Sequence, residues 1–118
     1  SEENVSVDQK DAEANKLMAI LAYLGILVLV PILAAKESPF ARFHANQGLL
    51  LLLTSIVGGI VVGILATILA FVSVVLAGAL YSVFYLAILA LAIIGIINAV
   101  KGEKKELPVI GKLFTLIK

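Results

Sequence analysis

The sequence has no cysteine, no tryptophan and a single histidine, His44. Without cysteine there are no disulfides, no thiol redox chemistry and no thiolate metal site. One histidine excludes a histidine-rich metal centre within the chain. Charge is scarce too: 14% of residues are Asp, Glu, Lys or Arg, against 62% hydrophobic ones. A soluble domain carries about 25% charged and about 45–50% apolar residues. So little polar material cannot cover a water-facing surface, and lipid is the solvent this composition calls for. A formal net charge of +1 provides no global field for nucleic acid. At 118 residues the chain is one domain at most.

The charge that is present comes in blocks. Residues 1–16 are polar and acidic, carrying Glu2, Glu3, Asp8, Asp11 and Glu13 beside Lys10 and Lys16. A signal peptide would pass at once from a short charged stretch into an apolar one, so this opening is not read as one. Residues 17–35 then carry no charge, residues 36–44 return to polarity, and residues 45–100 are 56 positions without an Asp, Glu, Lys, Arg or His. The 19 residues of the first run would make a helix of about 28 Å, close to the roughly 30 Å hydrocarbon core of a bilayer. Pro31 predicts a kink or an early end there. The second run, at about 84 Å as one helix, is too long for one crossing and leaves no turn for three. Two crossings joined near Val72–Gly78 fit it, with Phe71, Tyr81 and Tyr85 as interfacial anchors.

The expected fold is therefore all-α and integral to the membrane. Three transmembrane helices occupy about 17–35, 46–71 and 79–100. A short amphipathic C-terminal segment, 107–118, would lie on the bilayer as a helix, with Val109, Leu113, Leu116 and Ile117 on one side and Lys112, Thr115 and Lys118 on the other. Three crossings place the amino terminus opposite the first loop and the tail. Seven Lys and Arg then lie on the loop-and-tail side and two on the other. Positive residues mark the cytoplasmic side, which predicts the amino terminus outside and the C-terminus in the cytoplasm of a prokaryotic plasma membrane.

Two groups of residues are candidates for function. Ser55, Gly59, Gly63 and Thr67 recur every four positions as a ridge of small side chains, with Gly59 and Gly63 forming a GxxxG pair. Such a ridge admits a close helix neighbour, either a second copy or partner protein or another helix of the same chain. Phe43, His44, Asn46 and Gln47 cluster where the second helix enters the membrane, and Asn98 should lie at the same depth. They read as a cytoplasmic recognition site or as a network in which His44 or Asn46 caps the helix and the amides bond between helices. No carboxylate or base lies inside the spans to mark an ion path. No nucleophile with a base beside it suggests an enzyme, and nothing calls for a cofactor.

Ser38-Pro39-Phe40-Ala41-Arg42-Phe43-His44-Ala45-Asn46-Gln47-Gly48 and the later Leu107-Pro108-Val109-Ile110-Gly111, with Ala22-Tyr23-Leu24-Gly25 and Pro31, resemble the small prokaryotic Tic20-like membrane protein family over residues 16–113. Phe43, His44, Ala45 and Gln47 carry the most specific part of the likeness. That family is similar to a subunit of the chloroplast inner-envelope translocon and includes magnetosome-membrane proteins linked to crystal growth. The resemblance implies a compact helical membrane protein. Together these readings lead to a scaffold or accessory subunit that packs against itself or another membrane protein, and is related to protein transport. A homo-oligomeric pore is the alternative.

Overall fold

The computed structural model describes the backbone of residues 2–117 and the side chains of residues 8–117. Ser1 and Lys118, the outer ends of the acidic segment and of the tail, lie outside the described residues. The architecture is all-helical: α1 (Glu2–Ala14), α2 (Lys16–Leu21), a 3-10 turn (Gly25–Val28), α3 (Leu29–Ala34), α4 (Pro39–Ala70) and α5 (Val74–Val100). Two helices, α4 and α5, are long and apolar enough to cross a bilayer. They pair antiparallel and make the molecule a rod of 61 × 22 × 21 Å. Only 17% of the apolar stretch of either helix is buried. Ile56, Ile60, Ile64, Ile68, Val83 and Leu86 face outward. A helix that is apolar all round and still uncovered has a lipid-facing surface, not the surface of a soluble core.

The α4–α5 junction is tighter and earlier than the sequence suggests. Only Phe71, Val72 and Ser73 separate the helices, and Ser73 caps α5 by accepting the Leu76 N–H at 3.2 Å. Gly78 lies inside α5. Phe71 stands at the tip, 90% exposed. Tyr81 and Tyr85 lie along α5 behind the tip, and their hydroxyls reach across to Gly63 and Gly59 of α4.

The first apolar run is not one crossing helix. It is two six-residue helices, α2 and α3, on either side of the 3-10 turn. Each is about 9 Å long, far short of a bilayer core. Gly25 sits at φ +67°, a left-handed conformation that breaks the helix and that glycine adopts without steric cost. Pro31 falls in the first turn of α3, where its missing N–H has no intrahelical partner in any case. The chain therefore descends beside α4, lines a shallow notch with Ser55 and Tyr85, and returns. Two close approaches hold it there. A Cβ on Gly48 would overlap the Ala22 carbonyl, and a Cβ on Gly95 would strike the Tyr23 ring.

This return overturns the expected arrangement of the amino terminus. Asp11, in α1, lies 2.6 Å from the Ser38 hydroxyl and 2.9 Å from the Phe40 N–H. The amino-terminal segment and the first loop therefore share one end of the molecule, where three crossings would have put them at opposite ends. The tail is corrected as well. Among the described residues, 101–117 form turns and irregular chain with no helix.

Candidate functional site

The charged end of the rod is organised by the first turns of α4. That helix starts at Pro39, seven residues before the expected 46, and its cap is Ser38, not His44 or Asn46. Ser38 has extended φ/ψ and accepts the Ala41 N–H at 3.0 Å. Proline at the first helical position has no N–H to satisfy. The Phe40 N–H, the remaining orphan donor, goes to the Asp11 carboxylate. Asp11 also accepts from the Asn15 side chain at 3.0 Å and stands at the positive end of the α4 dipole. Every free N–H of this helix start is thus assigned, and the assignment ties α1 to α4.

One turn further on, His44 is fully buried and ringed by aromatic edges. Phe40, Phe43 and Tyr23 lie 4.7, 5.3 and 5.5 Å from it, centroid to centroid, all edge-on. Its Nε2 is 2.8 Å from the Glu103 backbone carbonyl, which can only accept. Nε2 therefore carries the hydrogen, and Nδ1 accepts from the Tyr23 hydroxyl at 2.5 Å. The neutral ring joins three segments: α2 through Tyr23, α4 through itself, and the chain after α5 through Glu103.

Asn46 and Gln47 hold the C-terminal segment. The Gln47 amide donates to the Gly111 carbonyl at 3.0 Å and accepts the Leu107 N–H at 2.8 Å, bracketing the Leu107–Gly111 turn. Asn46 accepts from Leu116 and Ile117 N–H groups and donates to the Phe114 carbonyl. The two helical side chains thus take up backbone groups of a segment with no helix or strand of its own, including the Leu107 N–H and the Gly111 carbonyl where it is buried. The turn is tight: the Ile110 N–H reaches the Pro108 carbonyl at 2.7 Å, and Val109 between them has φ +69°. That is the less common hand of γ-turn, strained for a β-branched residue.

The expected polar cluster is thus brought together with one exception. Asn98 is buried, but it contributes its backbone carbonyl, which accepts the Glu103 N–H at 2.9 Å. Among the described residues its side chain makes no hydrogen bond. The ridge of Ser55, Gly59, Gly63 and Thr67 lies toward α5 over its glycines. A Cβ on Gly59 would sit 3.1 Å from the Tyr85 hydroxyl, and one on Gly63 3.2 Å from that of Tyr81. Ser55 and Thr67 turn their hydroxyls onto carbonyls of their own helix. Sequence reasoning missed Asp11, Tyr23 and Ser38. Ser38 was findable, since serine before proline is a helix-start signal. Asp11 and Tyr23 carry no such local mark. Among the described residues no three His, Asp or Glu side chains gather where they could hold a metal ion.

The two stretches that carried the family resemblance, around His44-Gln47 and Leu107–Gly111, are therefore bonded to each other. A family model described as the magnetosome magnetite crystal formation protein family matches residues 14–114, which include both stretches. The chain belongs to that family. Among members of the magnetosome crystal formation family, the magnetosome protein MamF of Magnetospirillum gryphiswaldense is 31% identical over 121 residues, spanning 98% of each chain. MamF of Paramagnetospirillum magneticum is 50% identical over 40 residues, 34% of this chain and 36% of that one. MmsF of the same organism is 46% identical over 35 residues, 30% and 33% of the two chains. No solved structure matches. These magnetosome relatives support the crystal-growth branch of the resemblance; they do not support a tie to the Tic20-type translocon or to protein transport.

Proposed function

We propose that this chain is an accessory protein of the magnetosome membrane that assists magnetite crystal formation by holding another membrane protein or a second copy, without turnover of its own. The full-length relation to a magnetosome protein carries this reading. The shape is consistent with it: a rod with apolar flanks whose charged end carries a hydrogen-bonded polar plate formed by Asp11, Ser38, His44, Asn46 and Gln47. In the membrane, α4 and α5 would form a hairpin, with the first apolar run dipping in from the charged end and returning. All Lys and Arg lie at 10–42 or 101–118, so the positive-residue rule points that end to the cytoplasm. A pore draws less support. The Ser55 and Thr67 hydroxyls are engaged by their own helix, and the Tyr85 and Tyr81 hydroxyls abut Gly59 and Gly63.

The test is replacement of the related MamF in Magnetospirillum gryphiswaldense by this chain with a fluorescent tag. The expected result is co-purification with the magnetite-bearing membrane fraction and crystals of the wild-type size range by electron microscopy. Residence in the plasma membrane alone, with crystals no different from those of a strain lacking both proteins, would sink the proposal.

A further inference from the structure

Beside the polar plate, an open cleft of about 550 Å³ lies between the start of α4 and the C-terminal segment. Three cations line it, Lys36, Arg42 and Lys104, together with Glu37, Glu106 and the Phe43 ring. We propose that this cleft binds the headgroup of an anionic phospholipid, a phosphodiester carrying free hydroxyls.

Three observations support this. The first is charge. Guanidinium and ammonium groups converging on one cavity are the usual donors to phosphate oxygens. Among the described residues no carboxylate stands within ion-pair reach of Lys36 or Lys104, whereas the neighbouring Lys105 is engaged by Glu103 at 3.0 Å. The second is depth. Asn46 and Gln47 form the inner wall, and the charge-free stretch of the sequence begins at 45. The cleft therefore lies at the level where hydrocarbon gives way to headgroups, with exposed Leu113 and Phe114 close by on the segment that forms its rim. The third is balance. Two carboxylates, Glu37 and Glu106, stand among the cations of the lining, which suits a singly charged phosphodiester better than a polyanion. The carboxylates are acceptors for headgroup hydroxyls, as glycerol supplies and choline does not.

Native mass spectrometry of the full chain in detergent tests this, with phosphatidylglycerol and phosphatidylcholine of identical acyl chains. Phosphatidylglycerol should stay bound at collision energies that strip phosphatidylcholine, and millimolar inorganic phosphate should not displace it. Arg42→Gln and Lys104→Gln should each lower the retained fraction about tenfold, the weight of one charge-assisted bond. Lys104 is exposed, so its variant keeps the fold and the test stays decisive if Arg42→Gln unfolds. Lys105→Gln, outside the cleft, should change nothing. Equal retention of the two lipids would overturn the proposal. So would displacement by phosphate, which would make the ligand a free anion. An equal loss in Lys105→Gln would reduce the effect to diffuse surface charge and overturn it too.

Discussion

Gln47 uses one amide to hold both ends of a turn sixty residues away in sequence. Replacing it with leucine keeps the bulk and removes both bonds, leaving the Leu107 N–H and the Gly111 carbonyl buried without partners. Each such group costs about 1–3 kcal/mol. Gln47→Leu should therefore release the C-terminal segment while α4 and α5 stay paired. Trypsin in mild detergent should then cut after Lys112 about tenfold faster or more, with unchanged helical circular dichroism. An unchanged cutting rate would mean that other contacts hold the segment. His44 invites a graded test. Tyr23→Phe removes one hydrogen bond, worth about 1 kcal/mol. His44→Ala removes two bonds and opens a cavity inside an aromatic ring of neighbours, costing about 3 kcal/mol or more. Melting temperatures should fall in the order wild type, Tyr23→Phe, His44→Ala. Equal falls would show that the Tyr23 hydroxyl carries the whole network.

At the scale of elements, glycines separate packing from propensity. Gly48 is where α2 meets α4, and a methyl there would fall on the Ala22 carbonyl. Gly78 lies in α5 with nothing within 4 Å of an added Cβ. Gly48→Ala should destabilise by about 1–3 kcal/mol through overpacking, whereas Gly78→Ala should stabilise by about 0.5–1 kcal/mol through helix propensity. Opposite shifts in melting temperature check the pair; matching shifts would mean that α2 does not press on α4 as described. The same contrast explains what was legible beforehand. The two long helices follow from 56 charge-free residues, because length and hydropathy alone demand them. The broken first run does not follow, since 19 apolar residues satisfy the length rule equally well. Its break depends on Gly25 turning left-handed and on Gly48 and Gly95 making room, both tertiary facts. The tail misled for a related reason. Its apolar spacing is helical, but its backbone groups find partners on Asn46 and Gln47, so no helix is needed. The polar cluster was legible as a cluster; that its partner is the later Leu-Pro-x-Ile-Gly stretch was not.

For the whole molecule, the return of the first run decides which parts share a side of the membrane. The absence of cysteine makes this simple to read. Single cysteines at Asp8, Glu37, Lys112 and Val72 can each be challenged with a membrane-impermeant maleimide in intact cells of a host that makes no magnetosomes and carries the chain in its plasma membrane. The first three should be protected together and the Val72 site labelled. Labelling of the Asp8 site alongside Val72 would restore a third crossing. Gly59→Leu with Gly63→Leu should disrupt the α4–α5 pair itself, seen as a loss of thermal stability, because those glycines receive Tyr85 and Tyr81 of the same chain. A change in oligomer size at unchanged stability would instead return the ridge to an intermolecular role.

The docking of the tail onto α4 also sets an order of events during synthesis. Gln47 and Asn46 are translated well before the groups that satisfy them, at 107–117. Until 107–117 have left the ribosome, those amides have water as their partner. A chain in which 107–117 cannot dock would keep the α4–α5 pair but leave this end of the rod open to solvent.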